Sequence, residues 1–380
     1  MVHVLRIMSS IKLQFQLWIM VNVYVHALSY VLQLPDIRTF RNCKIDKIYQ
    51  FGASFSDTGN RVVEDPTIAP ARLPYGESSF LGPTGRFSDG LLLIDYIALE
   101  AGLPLLNPYL KSDANFTHGV NFAVGGATAL SAIALAAKNI TVQGSKSSLG
   151  LQLEWMSNHL ASHCNTDNMH CRPEILNNSL FMVGEIGRND YYFAFSQGKT
   201  FEETQIMVPE IIEIIKNAVQ RVVDLGAAQV IVPGIFPMGC LPSYLTAYKT
   251  NDRSAYDELH CLKEFNDFIA YHNEYLQQTI ITLQEEYPRA TIAYADYYSA
   301  YKWLLYNAPQ LGFDPAFELE GCCGNAGACG SSNVPVCPNP DRYIGWDGVH
   351  FTQRAHSVIA TWVVADLIQK LSCDVQVEQY

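Results

Sequence analysis

Apolar and polar residues follow two rhythms along this chain. Five short runs rich in β-branched and apolar residues, at 47–52, 120–124, 180–184, 229–233 and 291–295, are bounded by Gly, Pro, Asn or Asp and read as strands. Longer segments carry apolar residues at helical spacing, most clearly 201–225, 256–286 and, after the last strand, 353–371. Strand and helix therefore alternate. Parallel neighbours need a crossover, and each crossover helix must bury its apolar stripe on the sheet. The pattern predicts a three-layer α/β domain with a central parallel sheet of about five strands, whose functional loops leave the C-terminal strand ends. Segments 61–86 and 241–262 keep neither rhythm and are expected to be long irregular excursions that wall a cleft.

Composition sharpens this picture. Of 380 residues, 49% are hydrophobic and 16% charged, against about 25% charged in ordinary soluble proteins, so a large buried core is expected and disorder is excluded as the main state. The net charge of −12 comes from scattered carboxylates, which argues against nucleic acid or an anionic membrane as a partner. Arg6 and Lys12 precede an apolar stretch over 13–25, and Val25-His26-Ala27 suits a signal peptidase. Residues 1–27 thus read as a signal peptide and 28–380 as one domain. Gln14, Gln16, Asn22 and His26 interrupt the stretch, and no other segment reaches the roughly 18 apolar residues of a membrane span. A secreted protein, extracellular or vacuolar, is the expectation.

Ten cysteines fit an oxidising compartment. Cys164 with Cys171 and Cys240 with Cys261 are close enough to be partners, while Cys322, Cys323, Cys329 and Cys337 crowd one Gly-rich loop. A zinc site is the alternative for that loop, but its spacing lacks two C-x-x-C hooks, which favours disulfides. Sequons at Asn115, Asn139 and Asn177 agree with export and glycosylation.

Candidate chemistry gathers at the ends of the predicted strands. The first strand runs into Gly52-Ala53-Ser54-Phe55-Ser56-Asp57, which places a serine where the chain must turn sharply. Alone, such a serine is more often a helix cap than a nucleophile. The second strand ends in Val124-Gly125-Gly126-Ala127, where Gly126 can bring a backbone N–H close to a bound oxyanion. The third ends in Gly184-Glu185-Ile186-Gly187-Arg188-Asn189-Asp190, offering the Asn189 amide at the same edge. Near the C-terminus, Asp347-Gly348-Val349-His350 spaces a carboxylate so that it can curl back to the imidazole Nδ1 while Nε2 faces a cleft. Each segment is a weak signal by itself, and the conjunction carries the reading.

These blocks resemble the GDSL esterases and lipases, or SGNH hydrolases, particularly their plant branch. The resemblance rests on residues 51–60, 119–127, 187–190 and 347–350, and on the further stretches 83–90, 233–240 and Cys322-Cys323-Gly324. It implies a flavodoxin-like fold, a triad of Ser54, Asp347 and His350, and an oxyanion hole built from the Ser54 and Gly126 N–H groups and the Asn189 side chain. No metal or cofactor is implied. The expected partner is a small-molecule ester, and the expected state a monomer. Similarity to plant esterases of alkaloid metabolism, through stretches such as 103–110, implies an acetyl or other short acyl ester of a specialised metabolite. An acyltransferase using the same triad, and a catalytically silent binding relative, are the alternatives. The departure that motivates the silent reading is Ala53, where the family's Gly-Asp-Ser-Leu block has aspartate.

Overall fold

In the computed structural model, which describes residues 37–163, 176, 178–326, 329–371 and 373, the strands are β1 (Lys47–Phe51), β2 (Gly119–Asn121), β3 (Ser179–Val183), β4 (Gln229–Pro233) and β5 (Thr291–Ala295). They form one parallel sheet in the order β2-β1-β3-β4-β5. Every residue of β3 is buried, as are four of the five in β1 and in β4. This explains why the strands read as nearly continuous apolar runs: helices cover both faces of the sheet. The longer helices are α1 (Leu93–Glu100), α2 (Leu149–His163), α3 (Arg188–Ser196), α4 (Val208–Asp224), α5 (Lys263–Glu286), α6 (Tyr297–Tyr306) and α7 (Gln353–Lys370). Helix α4 packs between α2 and α5, while α7 packs between α1 and α6, giving the three layers expected.

Helix α4 shows how the pattern dictates the packing. Val208, Ile211, Ile212, Ile215, Ala218, Val219 and Val222 recur at helical spacing and are its buried residues. The predicted helix 201–225 is in fact two, because Thr200 caps a short helix at Phe201–Gln205 and Pro209 then opens α4. Helix α5 likewise starts at Lys263 rather than 256, since a bridge between Tyr256 and Leu262 and the Cys240–Cys261 disulfide hold the intervening chain out of the helix. The excursions are less irregular than expected: 61–86 contains most of a short helix, Asn60–Glu64, and 241–262 contains Pro242–Ala247.

The crowded cysteine loop forms the disulfides Cys322–Cys337 and Cys323–Cys329, not a zinc site. A further bridge, Cys43–Cys373, ties the segment before β1 to the end of α7 across 330 residues. The proposed Cys164–Cys171 pair, Asn177 and the leader 1–27 lie outside the described residues. Among the described residues, no helix is long and apolar enough to cross a membrane. Because the Cys43–Cys373 bridge restricts nearly the whole unfolded chain, Cys43→Ala with Cys373→Ala should lower unfolding free energy by about 2–5 kcal/mol. Urea denaturation measures this, and an unchanged midpoint would contradict it.

Candidate active site

The sheet reverses its winding at β1, with β2 on one side and β3 on the other, and ligand crevices form at such switch points beyond the carboxyl ends of the strands. The loops after β1, β2 and β3 all emerge there. Gly52 ends β1 at φ +142°, and a Cβ on it would stand 2.9 Å from the Gly184 carbonyl oxygen, so only glycine lets these loops approach. The Gln152 side chain of α2 clamps Gly52, accepting its N–H and donating to its carbonyl, both at 2.9 Å.

Two residues beyond Gly52, Ser54 lies 4% exposed with its Oγ 2.7 Å from His350 Nε2. On the other side of the ring, His350 Nδ1 is 2.9 and 2.8 Å from the two Asp347 oxygens. The turn is built by Asp347 itself, whose Oδ1 accepts the backbone N–H groups of Val349 at 3.1 Å and His350 at 2.9 Å. Thr352 then caps α7, and the Asp89 carboxylate accepts the Gln353 N–H at 2.6 Å. Asp89 belongs to the 83–90 stretch, so that motif anchors the chain just beyond His350. Arg86 fixes the same stretch through buried bonds of 2.7 and 2.8 Å to Asp95 of α1. Phe55 and Phe87 flank the imidazole, with centroid distances of 5.3 and 4.8 Å.

Sequence reasoning missed Tyr75, whose hydroxyl donates to Asp347 Oδ2 at 2.7 Å from 272 residues away. Its ring packs edge-on against Trp346, so the hydroxyl is held toward the carboxylate. Burial by itself would push the Asp347 pKa up. The charge of the adjacent imidazole, hydrogen bonds from the His350 ring and backbone, and the Tyr75 hydroxyl outweigh burial and hold it at about 2. That value lies below the ordinary 3.8, so ionised Asp347 stabilises the fold above about pH 4, and the contribution is lost as pH falls through about 2. Tyr75→Phe removes one donor. It should lower kcat roughly tenfold and move the acid-unfolding transition to higher pH. Turnover and a pH titration followed by circular dichroism check this; no change in either would contradict it.

The oxyanion candidates sit on interlocked loops. Asp57 is fully buried and accepts N–H groups from Gly59, Asn60, Arg61 and Gly125 at 2.6–3.0 Å, joining the Ser54 loop to the Gly125-Gly126 turn. Burial pushes its pKa up to about 6 against the pull of these donors. Asn121 strengthens the junction by donating to the Ser56 carbonyl at 2.6 Å and accepts the Ala123 N–H. Phe122 and Val124 still donate to the Gln50 and Gly52 carbonyls, but Gln152 takes the Gly52 N–H, so β2 ends short of the predicted 124. Gly126 has φ +84°, and a Cβ placed there would meet nothing nearer than 4.0 Å, so its surroundings are open. Asn189, in the first turn of α3, donates to the Ala127 carbonyl at 2.8 Å. Its second amide hydrogen is free of that bond. Asp190 accepts Ala129 and Leu130 N–H groups at 2.9 Å, pinning the same loop, and burial pushes its pKa up to about 7.

A family model described as GDSL-like lipase/acylhydrolase matches residues 48–363. The chain belongs to that family. It is a carboxylic ester hydrolase of the GDSL type. Acetylajmalan esterase 1 of Rauvolfia serpentina is 45% identical over 342 residues, covering 87% of this chain and 89% of that protein. Acetylajmalan esterase from the same plant is 44% identical over 363 residues, or 92% of each chain. A GDSL esterase/lipase of Arabidopsis thaliana is 41% identical over 337 residues, 85% of this chain and 84% of that one. The esterase departs from the family's name at Ala53, which is 2% exposed, so a carboxylate there would have needed buried donors.

Proposed function

We propose that the chain is a secreted serine esterase that hydrolyses an acetyl or other short acyl ester of a plant specialised metabolite, alkaloid esters included, through an acyl-Ser54 intermediate. His350 Nε2 takes the Ser54 proton as Oγ attacks the ester carbonyl, and Asp347 holds the tautomer and stabilises the imidazolium. Charge on the carbonyl oxygen is met by the Ser54 N–H, the Gly126 N–H and the Asn189 amide. The alcohol leaves with the proton carried by His350, and water, activated by the same ring, releases the acid.

The observation that carries this reading is the 2.7 Å separation of Ser54 Oγ from His350 Nε2, with Asp347 bonded to the opposite ring nitrogen. Glycosylation at Asn115 and Asn139, both exposed, and at Asn177 belongs to the same proposal, as do the leader 1–27 and a single domain over 28–380. Disulfides support export, because a reducing cytosol would not keep them. The substrate class draws its support from the acetylajmalan esterases among the relatives.

The test is a panel of esters of one alcohol with acyl chains from acetyl to palmitoyl, assayed with the mature glycoprotein and with an added alcohol acceptor. Turnover highest on acetyl, with acid as the released product, is expected. A preference for long chains, or transfer to the acceptor in place of hydrolysis, would overturn the proposal.

A further inference from the structure

Three polar groups beside the triad are left unused by this mechanism. Arg188 Nε, Tyr244 OH and Ser243 Oγ are buried atoms with no hydrogen-bond partner among the described residues. Arg188 is 3% exposed and Tyr244 4%, and the guanidinium enters no ion pair among the described residues. Glu185, the acid whose charge acts with it, is itself buried with both oxygens unpartnered among the described residues. A buried cation without a hydrogen-bonded partner is costly, and a ligand oxygen would relieve that cost.

The position of these groups ties them to the reaction. Arg188 immediately precedes Asn189, and its Cζ lies 5.1 Å over the Phe55 ring, which neighbours the His350 imidazole. The Ser243 N–H donates to the Gly348 carbonyl at 2.9 Å, inside the Asp347–His350 turn. Ser243 and Tyr244 line a cavity of about 190 Å³ together with Tyr248 and with Tyr192 and Phe195 of α3, and the Arg188 charge acts on Tyr244. Tyr192 stands four residues after Arg188 and so shares its helix face. Tyr192 and Tyr248 are exposed and form the rim, while Tyr244 and Phe195 are buried. A cavity of about 150 Å³ is enough for a benzene ring, so this space suits one aromatic ring system and not a long acyl chain.

We propose that this cavity receives the alcohol half of the ester as an aromatic ring bearing a second oxygen acceptor, a carboxylate or an ester carbonyl, and that Arg188 with the Tyr244 hydroxyl bonds that oxygen. The proposal rests on Ser54 as the nucleophile and goes beyond it by naming what the leaving group carries. A protonated amine at this end would meet the like charge of Arg188. An alkaloid ester would therefore present a carbonyl-bearing ring here and keep its amine away.

Three acetates test it: 4-(acetoxymethyl)benzoate, its methyl ester, and benzyl acetate, whose leaving alcohols are all benzylic. Wild-type kcat/KM should favour the first two over benzyl acetate by about tenfold or more. A preference for the carboxylate alone identifies charge as the recognised feature, and a preference for both identifies the carbonyl oxygen. Arg188→Leu should bring the ratios close to one. Tyr244→Phe, which removes only a hydroxyl, should lower them severalfold. Equal kcat/KM on all three in the wild type, or ratios unchanged in both variants, would overturn the proposal. Calorimetry on Ser54→Ala protein separates this from a failure of the nucleophile assignment: the product 4-(hydroxymethyl)benzoate should bind, and adding Arg188→Leu should weaken it about tenfold. No binding, or binding unaffected by Arg188→Leu, would refute the cavity's role whatever the chemistry at Ser54.

Discussion

Replacing Ser54 with alanine should cut kcat on a small acetate ester by about 10⁴- to 10⁶-fold, and His350→Ala should cost a similar factor. In the proposed mechanism the hydroxyl forms the bond to the acyl group, and the imidazole 2.7 Å from it takes its proton. Because neither acts without the other, the double variant should be hardly slower than either single one. What activity remains would come from substrate binding and the donors at Ser54, Gly126 and Asn189, which survive both substitutions. Steady-state rates on purified variants decide this. A single variant within tenfold of wild type, or a double variant slower by the product of the two factors, would remove these residues from their roles.

Asp347→Asn should be nearly as damaging, with a loss of about 10³- to 10⁴-fold in kcat and little change in fold. The carboxylate does three jobs at once: it accepts from the His350 ring, from the Val349 and His350 backbone N–H groups, and from Tyr75. An asparagine amide preserves the shape but turns a donor toward part of this set and removes the charge that stabilises an imidazolium. Since the native group is held at about 2, wild-type activity should show no loss assignable to Asp347 protonation until the pH nears that value. The loss in Asp347→Asn should accordingly be nearly constant across the working pH range. A variant that regains wild-type turnover at high pH would contradict this account.

Much of the architecture was legible because burial on both faces makes parallel strands read as apolar runs, and five such runs correspond to β1–β5 within a few residues. Boundaries slipped where side chains replaced backbone pairing, as when Gln152 captured the Gly52 N–H, and where a disulfide redirected the chain before Lys263. Ser54, Asp347 and His350 were visible because each lies within a few residues of a strand end or a helix start, a local signal. Tyr75 and the Cys43–Cys373 bridge were not, since their partners lie 272 and 330 residues away and no local pattern encodes that separation. Arg188 was read only as part of a turn. Its significance comes from being buried without a hydrogen-bonded partner, a property of the folded surroundings rather than of the residue type.

The most direct measurement is to mix the enzyme with 4-nitrophenyl acetate, quench with acid on the millisecond scale, and map the acetyl group by peptide mass spectrometry. An acetyl group on Ser54, formed at least as fast as steady-state turnover and absent from His350→Ala protein, is the predicted result. Product released at the normal rate with Ser54 unmodified, or acetyl carried on a different residue, would contradict the assignment.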